Sequence, residues 1–220
     1  MTRLGQRYAL AVYPFIAGEA GRFGAYRASD RAALVPMLAE LHRATPTAST
    51  RRLEFAVAGR AGLEQALIEV DRVWGTGPLA EPARELLARH APDIAELLAR
   101  ADRISVEIAP GDWVVTHGEP HAGNVIESAA GHLLIDWDTV ALAPPERDLW
   151  LLVDADAGAA SRYEDATGRR LDSTAIDFFR LTWDIDDLVA FTNIMRSPHG
   201  DNADTRKAYE SLTVILGRAT

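Results

Sequence analysis

In "VVTHGEPHAGNV", Val114 to Val125, the run His117-Gly118-Glu119 is followed by Asn124, five positions after the acid. Soon afterwards the apolar run "LLI" ends in Asp136. Gly118, Pro120 and Gly123 exclude a helix in the first stretch, so it reads as a turn leaving an apolar strand. Asp136 closes a second strand. A carboxylate at 119 can accept or orient the proton of an attacking hydroxyl. The amide oxygen of Asn124 and the carboxylate of Asp136 are the hard oxygen donors that Mg²⁺ prefers. A zinc reading of His117 and His121 is weaker. Their spacing of four places ligands on one face only in a helix, and no third ligand is evident. Either histidine alone is more often a hydrogen-bonded structural residue.

The elements that must position these groups follow from periodicity. "YALAVY", Tyr8 to Tyr13, reads as a strand broken by Pro14 and a glycine-rich loop. From Asp30 a helix carries Leu34, Leu38, Leu41 and His42 on one face and closes by Pro46. Gly59 and Gly62 precede another, with Leu63, Leu67, Val70 and Trp74 as its stripe. A long helical pattern from Glu81 should split in two at Pro92. Strands are expected at 113–116, 124–127 and 132–136, with a hairpin turn at 128–132. Pro144-Pro145 should open a helix at Glu146. The rest reads as helices near 157–167, 173–196 and 202–217. The fold class is therefore α+β: mostly helical, with a small set of strands that carries the polar groups.

Composition narrows the chemistry. The chain has 220 residues, 48% of them hydrophobic, and a formal net charge of −9. That charge opposes nucleic acid and anionic membrane as partners and suits a neutral or cationic small molecule. There is no Cys, which excludes disulfides and thiolate metal sites. No apolar run reaches membrane-spanning length, and no signal-peptide pattern opens the chain, so the expected compartment is cytoplasmic. Lys207 is the only Lys.

The acid-to-Asn spacing matches a kinase catalytic loop, and the joined pattern "VTHGEPHAGNVI…LLIDWDTVALAPPERDLW" resembles the aminoglycoside phosphotransferase and choline kinase-like superfamily. Those proteins have a protein-kinase-like fold and usually read HGD-x-x-x-x-N followed by IDW or IDF. The resemblance implies transfer of the γ-phosphate of ATP or GTP to a substrate hydroxyl, with Mg²⁺. It places Glu119 as catalytic acid/base, His117 as the residue bracing the loop, Asn124 and Asp136 as metal ligands, and Asp148 of "ERDLW" as structural support. It makes "YALAVYPFIAGEAG" the hinge beside the adenine, with Tyr13 and Phe15 at the nucleotide. Residues 1–25 would then be the last part of an N-lobe and its hinge, and 26–220 a helical C-lobe. No glycine-rich loop or strand Lys precedes Tyr8, so the expectation is a chain that lacks most of the N-lobe, binds ATP·Mg²⁺ poorly and self-associates.

One position departs from the pattern. Glu119 has one more methylene than Asp and reaches about 1 Å further, in chemistry where an error near 1 Å can cost about a hundredfold. The alternative reading is therefore a non-catalytic, pseudokinase-like module that binds a ligand or partner. On the acceptor side, "FFRLTWDIDDLVAFTNIM" has Phe178, Leu181, Ile185, Leu188 and Thr192 as a core stripe. The family places its acceptor pocket among late helices, which makes Trp183, Asp184 and Asp187 candidates for gripping a hydroxyl or ammonium group. An ion pair of Arg180 with Asp184, four apart, is the competing explanation for that acid.

Overall fold

The structure, a computed structural model, describes residues 2–218 except 6, 7, 11, 45, 47, 48, 109, 110 and 112. In chain order it contains β1 (Thr2–Leu4), β2 (Tyr8–Leu10), β3 (Gly18–Ala20), α1 (Ala28–Leu41), α2 (Arg60–Ile68), α3 (Ala80–Arg89), α4 (Ala91–Glu107) and β4 (Val114–Thr116). A 3₁₀ turn at Ala122–Asn124 leads into β5 (Val125–Ser128), then β6 (Gly131–Leu134), β7 (Ala141–Ala143), α5 (Glu146–Ala155), α6 (Ala159–Thr167), α7 (Ser173–Arg196) and α8 (Ala203–Arg218).

Helix α7 is the axis of the molecule. The Asp172 carboxylate accepts the Thr174 N–H at 2.8 Å and so caps its first turn. Helices α2, α3, α4, α5 and α8 all pack against it, which is why its sequence is apolar on nearly every side. Ile185, Leu188 and Met195 are fully buried there with Leu63, Leu87, Ile94 and Leu212. A second core joins Leu34 and Leu38 of α1 to Val125, Leu149, Leu152 and Tyr163. That cluster holds the first residue of β5, directly after Asn124, against three helices.

The strands form small antiparallel sets. β5 pairs with β6 and with β3, with Val125 opposite Leu134 and Gly18 opposite Ser128. β4 pairs with β7, with Val114 opposite Ala143 and Thr116 opposite Ala141. The extended segment before Leu53 runs parallel to β7 and exchanges backbone bonds with Leu142 at 2.7 and 2.8 Å. β1 and β2 form a separate hairpin.

The expected elements are present, with corrections. The strand expected over Tyr8–Tyr13 is only β2; residue 11 lies outside the described residues, and Val12 and Tyr13 are exposed loop. Val70 and Trp74 fall beyond the end of α2, though both still pack on the core. Asp136 is not in a strand: β6 ends at Leu134, and Asp136 has φ +65°. β3 and β7 were not expected, because three-residue strands are too short to show a period.

Leu188 is fully enclosed at the crossing of α7 with its neighbours. Leu188→Ala is expected to lower unfolding free energy by about 2–5 kcal/mol, read from urea denaturation with m unchanged.

Candidate active site

The site is built on one buried carboxylate. Asp148, in the first turn of α5, has a side chain that solvent does not reach. Its Oδ2 accepts the backbone N–H of His117 at 2.7 Å and its Oδ1 that of Gly118 at 2.6 Å. His42, just past the end of α1, places Nε2 3.1 Å from the same Oδ2 and Nδ1 2.8 Å from the Tyr163 hydroxyl. Hydrogen bonds to an ionised group are about twice as strong as neutral ones. The loop after β4 is therefore hung from α5, α1 and α6 together.

His117 braces the loop from within. Its Nε2 lies 2.9 Å from the Ile135 carbonyl, which can only accept, so Nε2 carries the proton. Its Nδ1 then accepts the Glu119 N–H at 3.3 Å. With both nitrogens used, His117 is no metal ligand, and the zinc pair with His121 does not form. Thr139 donates to the His117 carbonyl at 2.7 Å, tying in the turn after Asp136.

Arg147, beside Asp148, grips the loop's other side. It donates to the Thr116 hydroxyl at 2.8 Å and to the Thr139 carbonyl at 3.0 Å. Its guanidinium lies so close beneath Gly118 that a Cβ there would come within 2.3 Å of Nη2. Gly118 also has φ +103°, so only glycine fits. Burial holds this guanidinium below its usual pKa, while Asp148 pulls it up, Arg51 down and Glu119 up.

The candidate metal ligands meet at the ends of β5 and β6. The Ile135 N–H donates to the Asn124 carbonyl at 3.0 Å, so Asp136 follows directly on Asn124's neighbour. The Asn124 Nδ2 donates to the Glu119 carbonyl at 2.9 Å. That leaves Asn124 Oδ1 as an acceptor without a donor among the described residues. The Asp136 carboxylate is exposed and bonded to nothing among the described residues. Asp136 is the one described non-glycine residue with positive φ, a backbone form that Asp tolerates better than most residues. An amide oxygen and a free carboxylate, both hard oxygen donors, fit Mg²⁺. Glu119 is half-buried, and its carboxylate makes no hydrogen bond among the described residues.

Beside this lies a cavity of about 690 Å³ between the loop around Phe23 and helices α5, α7 and α8. Phe23 stacks on Trp183 at 6.0 Å, His121 meets both rings edge-on, and Trp150 lies 5.6 Å from Trp183. Gly21 lets this segment approach the 3₁₀ turn, since a Cβ would sit 2.2 Å from the Ala122 carbonyl oxygen. Asp184 and Asp187 line the cavity. Arg180 does not pair with Asp184: it bonds Asp154 and Asp177 at 2.5 Å, so the competing explanation of Asp184 falls. Enclosure raises the Asp184 carboxyl; enclosure, then Asp184 and Glu119, raise that of Asp187. Asp186, which solvent still reaches, is raised to about 6 by enclosure, Asp187 and Glu119. Burial lowers the His121 imidazole, against an upward pull from Glu119.

The fold brings His117, Glu119, Asn124, Asp136 and Asp148 to one place, and Trp183, Asp184 and Asp187 to one wall. Tyr13 and Phe15 stand exposed between β2 and β3. His42 was expected only as a core position, and Arg147 was not singled out; its place next to Asp148 was its only signal. A cluster behind the β5–β6 hairpin also went unforeseen. There Arg27 bonds Asp30 at 2.9 Å and Glu127 at 3.1 Å, and His132 Nε2 lies 3.6 Å from Asp30. With Arg27 holding both carboxylates, this cluster is a brace.

Residues 2–181 match the phosphotransferase enzyme family. The chain belongs to that family. It is 30% identical over 195 residues to Protein StrN of Streptomyces griseus, covering 83% of this chain and 57% of that protein. It thus spans little more than half the length of that curated relative. Its fold is similar to that of spectinomycin phosphotransferase APH(9)-Ia, solved with ADP and spectinomycin, at 19% identity and a TM-score of 0.76, over 94% of this chain and 69% of that one. It is also similar to an aminoglycoside phosphotransferase from Alicyclobacillus acidocaldarius, at 16% identity and a TM-score of 0.61, over 93% and 67% of the two chains. The kinase-like α+β fold expected from the sequence is thereby established. No helix among the described residues is long and apolar enough to cross a membrane.

Asp148→Ala removes the acceptor of two loop amides and leaves His42 facing a void. Breaking such a buried set is expected to cost about 3–5 kcal/mol, read by thermal unfolding. Amide exchange should accelerate most at His117 and Gly118.

Proposed function

We propose that the phosphotransferase fold of this chain transfers the γ-phosphate of ATP or GTP to the hydroxyl of a small cationic acceptor. The observation that carries this reading is the convergence at the strand ends. Asn124 bonds both the Glu119 carbonyl and the residue before Asp136, so base, amide and carboxylate meet in one place. Asn124 and Asp136 would hold Mg²⁺, which when bound neutralises the charge on the nucleotide phosphates. Glu119 accepts the proton of the acceptor hydroxyl as its oxygen bonds the γ-phosphorus, while the bond from that phosphorus to the β,γ-bridging oxygen breaks and the nucleoside diphosphate leaves. The Asp148 and Arg147 contacts keep Glu119 in place, and positioning is most of the catalysis in such a transfer. Tyr13 and Phe15 serve the nucleotide base. Their exposure, with that of Tyr8 and Val12, also gives this segment the apolar surface for self-association.

The aromatic and acidic wall supports a cationic acceptor. Rings attract a cation through their faces, and Asp184 and Asp187 stand in the cavity without partners among the described residues. The relative solved with ADP and spectinomycin supports nucleotide and small-molecule binding in this fold.

The test is transfer of labelled γ-phosphate from ATP and from GTP, with Mg²⁺, to a panel of amino alcohols and aminoglycosides. Glu119→Gln is expected to cut turnover by about 10²-fold or more with nucleotide affinity little changed. Asp136→Asn should abolish the Mg²⁺ dependence of nucleotide binding. Glu119 in place of Asp favours a second reading, a binding module without transfer. Tight Mg²⁺-nucleotide binding with no turnover of any acceptor, in wild type and Glu119→Asp alike, would establish that reading instead.

The raised carboxyls set the pH dependence. A carboxyl whose pKa is raised takes up its proton at higher pH, and only the charged form holds a cation. The acceptor KM should therefore begin to climb at a higher pH than the value near 4 at which ordinary exposed carboxylates protonate, because Asp184 and Asp187 are both raised. Changing Asp184 and Asp187 together to Asn should raise KM at pH 8 and flatten this dependence. A steep dependence that survives in the double variant would refute the assignment.

A further inference from the structure

Of the catalytic loop, His121 reaches the wall of the cavity. It stands two positions after Glu119 and three before Asn124. Pro120, between Glu119 and His121, fixes its own φ at about −65°, and His121 is extended, with φ −74° and ψ 164°. The spacer is therefore stiff, and the Cα atoms of Glu119 and His121 are at most about 7 Å apart. One small molecule can touch both side chains.

The imidazole is clamped in place. Phe23 meets it edge-on at 4.9 Å and Trp183 at 6.3 Å. The segment that carries Phe23 is bonded to the loop on both sides of His121: the Tyr26 hydroxyl donates to the Pro120 carbonyl at 3.2 Å, and the Gly21 N–H to the Val125 carbonyl at 3.0 Å. A Cβ on Gly123 would sit 3.1 Å from both Nδ1 and Cε1, so that edge of the ring faces the 3₁₀ turn. Nδ1 is sealed there without a partner. Nε2 is bonded to nothing among the described residues and is not sealed; it belongs to the edge left to the cavity. A proton on Nδ1, in the neutral ring or in the cation, would be an enclosed N–H without an acceptor, and orphaned buried N–H groups are rare. The proton therefore sits on Nε2, and the ring offers the cavity one N–H donor. Asp184 and Asp187, on the α7 wall, only accept when ionised.

We infer that His121 is an acceptor-binding residue: its Nε2–H donates to an oxygen of the acceptor beside the one that attacks, and so presents the attacking hydroxyl to Glu119. This rests on the phosphotransferase reading for the identity of the cavity as the acceptor site. It goes further by assigning a residue that holds the acceptor from the loop side, and by requiring a second oxygen near the reacting hydroxyl.

The first test needs no nucleotide. Long-range ¹H–¹⁵N spectra of the histidine rings, with the His121 signals assigned by their loss in His121→Phe, should show the proton on Nε2. Titration with 2-amino-1,3-propanediol or 2-deoxystreptamine should shift Nε2 and leave Nδ1 nearly still. Isopropylamine, which has the carbon frame and ammonium of the first but no hydroxyl, should move neither. The second test is kinetic, on an acceptor that turns over. His121→Phe keeps a flat ring between Phe23 and Trp183 and should raise the acceptor KM about tenfold, the scale of one hydrogen bond, with the nucleotide KM unchanged. His121→Gln, whose amide nitrogen reaches the place of Nε2, should recover most of this; His121→Asn, whose amide nitrogen reaches only that of Nδ1, should not. A packing role alone would leave His121→Phe the best of the three. A proton on Nδ1 in the free protein, an Nε2 that neither polyol moves, or an acceptor KM in His121→Phe equal to wild type overturns the inference. Polyols that shift Nε2 on a chain that transfers no phosphate would uphold His121 as a ligand contact and count against phosphotransfer instead.

Discussion

The Asp148 carboxylate is the point from which this site hangs. It is sealed from solvent, and it accepts two consecutive backbone N–H groups, of His117 and Gly118, while His42 stands against one of its oxygens. A buried carboxylate is costly unless its hydrogen bonds are made, and here they are made to the segment that must be held still. The loop cannot move without leaving that charge unsatisfied. Everything further out follows from it: His117 turned to reach the Ile135 carbonyl, Gly118 pressed onto Arg147, Glu119 and Asn124 facing one another.

The outer residues are less constrained by the protein itself. Asp136 and Glu119 have carboxylates bonded to nothing among the described residues, and Asn124 keeps Oδ1 unused. Strain collects in the same place. Asp136 has φ +65°, a conformation that a non-glycine residue holds only where the surroundings fix it. The inner layer is saturated and the outer one is not, which is the contrast the proposed metal–nucleotide role rests on. The Arg27–Asp30–Glu127 group shows the opposite case, with its carboxylates already held by a guanidinium.

Much of this was legible in the sequence, for identifiable reasons. Helices of ten residues or more show their period, so α1, α3 to α5, α7 and α8 fell near their expected places, and Pro92 marked the break between α3 and α4. The spacing of Glu119 and Asn124 survived because a local turn fixes it. What was hidden depended on distance along the chain. His42 meets Asp148 and Tyr163 from more than a hundred positions away, so its helical stripe described it only as core. Arg180 had a plausible partner in Asp184 on its own helix and took Asp154 from another. The cavity needs α7 and α8 side by side, which no pattern within either helix reveals.

All of the proposed chemistry requires that the ends of β5 and β6 form the metal–nucleotide site. Mn²⁺ in place of Mg²⁺ makes this visible, because it broadens backbone amide resonances of nearby residues. With ADP present, substoichiometric Mn²⁺ should broaden the amides around Asn124 and those from Ile135 to Trp137, and leave Asp30 and His132 sharp. Broadening centred on Asp30, Glu127 and His132, with Asn124 and Asp136 unaffected, would contradict it.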